Sequence, residues 1–249
     1  MMLISKKFIF KTALIVLEDE AAQPIIDSGK YSFIRVVSYK DKDIPGFIKS
    51  AKTTALIDLT QSEDDIFSKF NDTTRNEVRK TMKEGGISIK SGVPIDDASY
   101  DMYSAFEFAQ GRAPVPRSEL KDCLLFGVYL SGDLLSGIFV IPSKPYLRIR
   151  SIFSKRLQTE DKEMYKHISN ATRRAMWEIC LWGKKEGYRS LDLASVNLTN
   201  PKTANITKFK MSFGGAIVNE YTYTYKSKLF SSLEFLARFR VALRKLFHR

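Results

Sequence analysis

The chain has 249 residues, 44% of them hydrophobic and 27% charged, which is typical of a globular protein with one large domain or one domain with an added subdomain. It holds two cysteines and two histidines, which exclude a disulfide scaffold and argue against a metal site built from these residue types. The formal net charge of +12 favours phosphate-rich partners, namely nucleotide, nucleic acid or anionic membrane.

The first half of the chain predicts short strands followed by helices. Residues 12–58 contain the β-branched runs ALIVL, SFIRVVSY and TALIDL, separated by polar or Pro/Gly stretches, and strands are expected there. Ser62 is placed to cap a helix whose first turn is acidic; this helix is interrupted near Asn71 and ends at a double glycine. After the short strand GISIKSG, residues 96–110 predict another helix.

The second half begins with hairpin strands in the run LLFGVYLSGDLLSGIFVIPSKPYLRIRSIFS, with turns at SGD and at PSKP. Apolar residues at helical spacing predict a long helix over residues 162–186, followed by the strand YRSLDLAS. The segment NITKFKMSFGG predicts a short helix with a glycine stop, and AIVNEYTYTYKS predicts a strand. This order indicates a mixed α/β sheet with helices on its faces.

The positive charge is concentrated in two segments. Residues 143–174 carry nine Lys or Arg and three acidic residues, whereas residues 226–249 carry seven Lys or Arg and one acidic residue. The rest of the chain is balanced, with 24 basic and 24 acidic side chains. Two local patches suit an anionic partner, although surface charge kept for solubility is an alternative interpretation.

Three segments resemble a known family in wording, order and spacing. The first segment resembles a strand followed by a helix that carries R-x-x-x-R-K before a glycine; here it reads LIDLTQSEDDIFSKFNDTTRNEVRKTMKEGG. The second resembles a helix that ends in K-x-x-G-Y before a strand, and it reads WEICLWGKKEGYRSLDLAS. The third resembles an FK-x-x-FGG signature, and it reads ITKFKMSFGG. All three are features of the Fem-type peptidoglycan bridge enzymes, which belong to the GNAT acyltransferase superfamily. The resemblance covers roughly residues 55–225.

The resemblance implies a GNAT-like mixed and mainly antiparallel sheet flanked by helices. The expected domains are an N-terminal strand-rich addition over residues 1–50, a GNAT-like acyltransferase domain over residues 51–228 and a C-terminal basic amphipathic helix over residues 229–249. Fem-type enzymes usually contain two GNAT-like domains, and this chain is long enough for one complete domain with an addition.

The activity that the resemblance implies is transfer of an aminoacyl or acyl group to an amine of a cell-wall or surface-polysaccharide precursor. No Ser-His-Asp or Cys-His arrangement is readable, which favours direct transfer without a covalent enzyme intermediate. The resemblance makes Lys210 the candidate that stabilises the developing oxyanion or the donor's phosphate, and it places Phe209 against the donor. From spacing alone, Phe209 and Phe213 are core residues and Lys208 and Lys210 are solvated.

No permanent cofactor and no metal are expected, and the donor is aminoacyl-tRNA or acyl-CoA. CoA-using GNAT proteins hold the pyrophosphate on a glycine-rich loop at a helix start. The matching segment here, SKRLQTEDKEMYKHISNA, has no glycine. This absence weakens acyl-CoA as the donor, while Lys155, Arg156 and the helix start remain candidates for phosphate binding.

Further candidates follow the strand that contains Asp192. A carboxylate in an apolar strand needs partners, so Asp192 is either a general base or a structural acceptor for loop amides. Ser195 and Asn197 follow at the end of the strand, where ligands bind in open α/β sheets. Arg75 and Arg79 share one helical face and are candidates to grip the phosphates of an acceptor, or they belong to a solvated face.

The terminal segment SSLEFLARFRVALRKLFHR combines leucines with arginines in an amphipathic pattern. It predicts a helix over residues 230–249 that contacts a membrane surface, or one that docks on the domain with its basic side in water. The expected location is the cytoplasm, with peripheral attachment to the inner face of the cell membrane. The expected acceptor is a sugar or peptide precursor, and a membrane location is compatible with a lipid-linked precursor.

Two other functions stay open from the sequence. One is an acyl-CoA-dependent N-acyltransferase that modifies an amino sugar or a small molecule. The other is a non-catalytic basic module that binds nucleic acid or membrane. The two basic segments are compatible with each of them.

Overall fold

The computed structural model describes residues 2–7, 9–83 and 85–234. The chain divides into two compact units, one formed by residues 1–52 with 219–249 and the other by residues 53–218. The helices are α1 (Asp19–Asp27), α2 (Glu63–Ser68), α3 (Asp72–Lys83), α4 (Asp97–Ala109), α5 (Lys162–Lys185) and α6 (Ala204–Met211). The strands are β1 (Met2–Lys7), β2 (Phe10–Val16), β3 (Phe33–Ser38), β4 (Ile48–Asp58), β5 (Ile87–Pro94), β6 (Leu124–Leu130), β7 (Asp133–Ser143), β8 (Tyr146–Ser154), β9 (Ser190–Val196) and β10 (Ala216–Lys226).

In the first unit the strand order is β1-β2-β3-β10, with β2 and β3 parallel and the other neighbours antiparallel. Helix α1 lies against β2 and β3 and buries Ala22 beside Ile15 and Val36. The prediction of strands and turns over residues 12–58 missed this helix. Its sequence, DEAAQPIID, is short and contains Pro24, which is a helix breaker in most contexts, so local propensity hides it.

In the second unit the strand order is β4-β9-β8-β7-β6-β5. Neighbouring strands are antiparallel except β8 and β9, which run parallel because α5 connects them. Helix α5 buries Ala171, Ala175 and Ile179 in the core that also contains Ile138 and Val140 of β7. The prediction of a mixed, mainly antiparallel sheet flanked by helices is confirmed.

Helices cover both faces of this sheet. Ile138 and Val140 share a core with α5, whereas Phe139 between them contacts Tyr103 of α4, with ring centroids 5.2 Å apart. Successive side chains of a strand point to opposite faces, so α4 and α5 lie on opposite sides of the sheet. Phe153 of β8 also packs against Tyr103 on the α4 side.

Several local predictions are confirmed. The Ser62 hydroxyl accepts a hydrogen bond from the Asp65 backbone N–H at 3.1 Å, which caps α2. The Asn71 side chain accepts one from the Thr74 N–H at 2.8 Å, at the predicted interruption. The long helix runs over Lys162–Lys185, in agreement with the expected 162–186.

Residues 228–234 are helical, at the start of the predicted C-terminal amphipathic helix. The remainder of that prediction, from residue 235 to residue 249, lies outside the described residues. Among the helices in the described part of the chain, none combines the length and the apolar character that crossing a membrane requires.

Candidate functional site

The two parallel strands β8 and β9 pair over a short distance and then separate. Their paired residues run from Tyr146 opposite Ser190 to Arg148 opposite Asp192. Both strands continue past these pairs toward their carboxyl ends, and the described residues show no further pairing between them. Ligands of open α/β sheets bind at the carboxyl ends of parallel strands, so this gap is the candidate site.

Irregular backbone accompanies the separation. The register between β4 and β9 shifts between Thr54 and Leu56, and Ala194 of β9 has a φ of 58°, in the left-handed region that residues other than glycine rarely adopt. The register between β7 and β8 also shifts, between Phe139 and Val140 of β7. Such bulges bend a strand and occur often beside active sites.

Asp192 lies where the strands separate, and its side chain is enclosed. It is 0% exposed and forms an ion pair with Arg148 of β8. It also accepts hydrogen bonds from the hydroxyl of Thr54 on β4 and from the backbone N–H of Ala194, the latter at 2.7 Å. The geometry favours the structural alternative for Asp192 over the general base, because its carboxylate braces three neighbouring strands and has no exposed surface.

The two lysines of the FK-x-x-FGG segment have different environments. Lys208 is exposed, whereas Lys210 is 9% exposed and its Nζ donates a hydrogen bond to the Ser195 carbonyl at 2.9 Å. Lys210 therefore places an ammonium group at the carboxyl end of β9. Phe213 is fully buried and packs edge-to-face on Phe209, at 5.1 Å between ring centroids, which confirms it as a core residue.

A cavity of about 490 Å³ opens between the end of β8 and the helices on both faces of the sheet. Its wall comes from α4 and the turn after it, the end of β8, the first half of α5 and the start of α6. The lining residues are Phe106, Gln110, Arg112, Ile152, Phe153, Ser154, Arg156, Tyr165, Ile168, Ser169, Thr172, Arg173, Thr203, Asn205, Ile206 and Phe209. Two of the predicted donor-binding residues, Phe209 and Arg156, are among them.

Two of the three arginines in the cavity wall are fixed by carboxylates. Arg112 Nε and Nη2 donate to the two oxygens of Glu107 at 2.7 and 2.9 Å, and this hydrogen bonding raises the pKa of Arg112. Arg173 Nε lies 2.8 Å from Glu77 Oε2, and its guanidinium lies over the Phe209 ring at 5.4 Å. Arg112 is thereby held by two hydrogen bonds to one carboxylate. Arg173 is held by the ion pair and by a hydrogen bond from its Nη1 to the Ser169 hydroxyl at 2.7 Å.

Other predicted residues serve local structure. The Asn197 side-chain oxygen accepts hydrogen bonds from Thr199 and Asn200, which shapes the loop after β9. Arg75 donates to the carbonyls of Ser68 and Phe70, where it secures the junction between α2 and α3.

Of the remaining predicted residues, Arg79 is exposed and stacks on Phe67, with its guanidinium carbon 5.3 Å from the ring centroid. Lys155 is half-buried beside Arg156 but does not belong to the cavity wall, and Ser195 is exposed and contributes its carbonyl to Lys210. The structure thus brings Arg156 and Phe209 into one wall, and Ser195 and Lys210 into one contact.

Reasoning from the sequence missed Gln110, Arg112, Tyr165 and Arg173. Gln110 and Arg112 lie in the sequence QGRAPVP after α4, a segment whose pattern indicates only a loop. Tyr165 and Arg173 are eight positions apart on α5, and their common face was a usable signal because residues at helical spacing line up. Within the described residues, no group of three or more His, Cys, Asp or Glu is placed to hold a metal ion.

Comparison with known proteins gives similarity at the level of the fold. No family model matches the chain, and no curated protein matches it. Among solved structures, FemX is similar at 12% identity and a TM-score of 0.60, covering 94% of this chain and 86% of that one. The C-terminal domain of a putative lysylphosphatidylglycerol synthetase from Agrobacterium fabrum is similar at 12% identity and a TM-score of 0.55, covering 95% and 84%.

A third structure, L-PGS from Bacillus licheniformis, is similar at 14% identity and a TM-score of 0.52, again covering 95% of this chain and 84% of that one. These similarities confirm the predicted fold, a mixed and mainly antiparallel sheet flanked by helices, which this chain shares with FemX. The sequence identities are low, so the similarities concern the arrangement of strands and helices.

Proposed function

We propose that this protein transfers an acyl or aminoacyl group to an amine. The observation that carries the proposal is the gap between β8 and β9, in a fold shared with FemX: a cavity of about 490 Å³ opens at the end of β8, and the buried ammonium group of Lys210 lies at the end of β9. The names of the similar structures, FemX and lysylphosphatidylglycerol synthetase, support this class of reaction.

The proposed reaction is a direct transfer. The amine nitrogen attacks the carbonyl carbon of the donor, a C–N bond forms, and the bond from that carbon to the leaving oxygen or sulfur breaks. The proton lost by the amine goes to the leaving atom. Both cysteines are buried, and burial raises the pKa of the Cys123 thiol to about 11 and that of Cys180 further still. Neither thiol is therefore suited to form a thioester intermediate.

Lys210 has the proposed role of stabilising negative charge as the carbonyl carbon becomes tetrahedral. Its ammonium group is almost fully buried at the end of β9, where a positive charge acts more strongly on a developing oxyanion than it does in water. Phe209 precedes it and lines the cavity, in a position to pack against the donor. Asp192 supports this arrangement as a brace of β9.

The start of α5 favours aminoacyl-tRNA over acyl-CoA as the donor. The Asp161 side chain accepts a hydrogen bond from the Glu163 backbone N–H at 2.9 Å, so the first turn of α5 is capped by its own carboxylate. Glu160 and Glu163 add negative charge at the same helix end. The Asp161 carboxylate occupies one of the N–H groups that a pyrophosphate would use, which disfavours pyrophosphate binding at this helix N-terminus.

The proposed acceptor is an amine on a cell-wall or surface-polysaccharide precursor, in a cytoplasmic reaction. The support for this choice is the resemblance of the sequence to Fem-type peptidoglycan bridge enzymes, together with the fold similarity to FemX. The membrane contact proposed for residues 230–249 rests on their amphipathic sequence.

A reconstituted assay tests the proposal. The purified full chain is incubated with radiolabelled aminoacyl-tRNA, or with labelled acetyl-CoA, and with a panel of amino-sugar nucleotides and peptidoglycan precursors. We expect label in an alkali-stable amide with aminoacyl-tRNA as the donor. An amide formed only from the CoA thioester would establish the N-acyltransferase alternative. A folded protein that forms no amide with either donor would contradict the proposal and favour the basic binding module.

A further inference from the structure

The end of α4 is a hydrogen-bonded turn that constrains the residues after the helix. The Arg112 backbone N–H donates to the Glu107 carbonyl at 3.0 Å, and the Gly111 N–H donates to the Phe108 carbonyl at 2.9 Å. Gly111 has a φ of 71°, in the left-handed region that a helix end with these two hydrogen bonds requires. The backbone of Gln110, which directly precedes Gly111, is therefore fixed between the helix and the turn.

Side chains of the same turn orient the amide of Gln110. Arg112 donates two hydrogen bonds to Glu107, at 2.7 and 2.9 Å, and its Nη1 donates to Gln110 Oε1 at 3.1 Å. Because a guanidinium has only donors, the oxygen end of the amide is the end that turns toward Arg112. The sequence EFAQGR over residues 107–112 therefore determines which end of the Gln110 amide remains for other contacts, and that end is Nε2.

Gln110 Nε2 has no acceptor in the described part of the protein, although it is buried and Gln110 lines the cavity at the end of β8. A buried amide donor without an acceptor is rare in folded proteins and lowers stability, because the unfolded chain would bond it to water. Gln61 shows the usual arrangement, since its Nε2 donates to Asp58 at 3.0 Å and its Oε1 accepts from Lys69 at 2.6 Å. An acceptor on a ligand would complete the hydrogen bonding of Gln110 in the same way.

The surroundings of this amide favour an uncharged acceptor. Phe106 lies four positions before Gln110, on the same face of α4, and both residues line the cavity together with Ile152 of β8. The guanidinium next to the amide, that of Arg112, is already balanced by Glu107. A carbonyl oxygen suits such a wall better than a hydroxyl does, because a carbonyl only accepts, whereas a hydroxyl brings a proton that needs an acceptor of its own.

From these contacts we infer that Gln110 is a specificity-determining residue, whose Nε2 donates a hydrogen bond to an amide carbonyl of a substrate in the cavity. Arg112 and Glu107 are its positioning residues. A substrate without an acceptor at this point leaves the buried donor unpaired and is bound less well. The inference rests on the proposed function in taking this ligand as part of a substrate. The carbonyl then belongs either to the acetamido group of a sugar or to a peptide bond.

Binding of small amides tests the inference without any transfer reaction. NMR titration of the full chain uses N-acetylglucosamine and N-acetyl-L-alanine methylamide as amide probes, at millimolar concentrations because small ligands bind weakly. We expect at least one amide probe to bind. The probe that binds more tightly identifies the source of the carbonyl, a sugar or a peptide. If it is the sugar, 2-deoxyglucose, which lacks the acetamido group, is expected to bind about tenfold more weakly.

Variants of Gln110 separate its donor from its shape. Gln110→Met keeps the length of the side chain without an N–H, and Gln110→Glu replaces the donor by an acceptor oxygen. Each is expected to weaken binding of the amide probe about tenfold. Gln110→Met is also expected to leave the Tm of the free protein unchanged or raised, because it removes a buried donor without a partner, while Arg112 keeps its hydrogen bonds to Glu107.

Gln61→Met is the matched control, because both ends of the Gln61 amide have partners in the protein. It is expected to lower the Tm by about 1–3 °C and to leave the affinity for the amide probe within about twofold. The contrast between the two glutamines distinguishes an amide that awaits a ligand from one that stabilises the fold.

Three results would overturn the inference: no binding of either amide probe, unchanged affinity in Gln110→Met or Gln110→Glu, or a fall in Tm in Gln110→Met as large as that in Gln61→Met. The last result would show that the Gln110 amide already has a partner in the free protein. The outcome is separable from that of the transfer assay. Probe binding that depends on Gln110, with no transfer product, would leave the inference standing and remove the proposed function. A transfer product formed with an unchanged KM in Gln110→Met would do the reverse.

Discussion

The two ends of the gap between β8 and β9 differ in whether their polar and charged side chains have partners within the protein. At the closed end, Asp192 and Arg148 are 0% and 8% exposed and are paired with each other. At the open end, the Arg156 side chain is exposed to solvent, and the buried Gln110 Nε2 has no hydrogen-bond partner among the described residues. Polar groups with partners hold the strands in place, whereas those without partners are where a ligand gains binding energy.

The largest expected effect comes from breaking the closed end. Asp192→Ala leaves the buried guanidinium of Arg148 without its carboxylate, and we expect the free energy of unfolding to fall by about 3–5 kcal/mol. Urea denaturation followed by circular dichroism measures this change. Asp72→Ala is the control, because Asp72 pairs with Arg75 with its side chain 86% exposed, and it is expected to cost about 0–1 kcal/mol. Equal losses in the two variants would contradict a bracing role for Asp192.

The second prediction concerns Lys210, whose ammonium group lies at the carboxyl end of β9. If Lys210 stabilises the developing oxyanion, Lys210→Ala lowers kcat for amide formation by about 10²–10³-fold. Lys208→Ala removes an exposed cation two positions away and is expected to stay within about twofold of the original rate. Initial rates in the reconstituted assay give both values. Full activity in Lys210→Ala would remove Lys210 from the chemical step.

The third prediction tests the double glycine that follows Lys210. Gly214 has a φ of 69°, and a Cβ there would overlap the backbone carbonyl of Lys69. Gly187 has a similar φ of 76° but open space around it. Gly187→Ala therefore measures backbone strain alone, and it is expected to lower the free energy of unfolding by about 1–2 kcal/mol. Gly214→Ala is expected to lower it by about 1–3 kcal/mol more than Gly187→Ala does, because of the added overlap. Urea denaturation compares the two, and equal losses would mean that the contact with Lys69 relaxes freely.

Most of the sheet could be predicted because its elements carry local signals. Alternation and turn residues identify β6 and β7, and apolar spacing with a final glycine identifies α5. Helix α1 could not be predicted from local propensity. Its stability comes from the burial of Ala22 against Ile15 and Val36, which belong to the strands β2 and β3 on either side of the helix in sequence.

The candidate site could be predicted only in part, for the same reason. Phe209 and Arg156 were found because a motif and a basic run mark them. Arg112 and Gln110 reach the cavity only because α4 packs across the sheet from α5, a long-range contact that no local pattern encodes. The role of Asp192 depends on its partners Thr54 and Arg148, which the sequence places 138 and 44 positions away.

The smallest expected effect concerns the helix that carries Gln110 to the open end. Asp96 caps α4 by accepting a hydrogen bond from the Ser99 backbone N–H at 2.8 Å, and hydrogen bonding by Ser99, through its side chain and its backbone, lowers the pKa of the Asp96 carboxyl. Asp96→Ala is expected to reduce the free energy of unfolding by about 0.5–1 kcal/mol at pH 7, in the lower part of the range for caps because Asp96 is exposed.

The pH dependence of this difference distinguishes the cap from a packing effect. A carboxyl whose pKa is lowered by folding stabilises the protein above its unfolded pKa of about 3.9, and the contribution disappears as the pH falls through the folded pKa. Urea denaturation should therefore show the two proteins converging in stability as the pH is lowered from 5 to 3, while Asp96→Asn, which keeps a capping oxygen, stays close to the original protein at pH 7. A difference that persists unchanged at pH 3 would mean that the carboxylate does not cap α4.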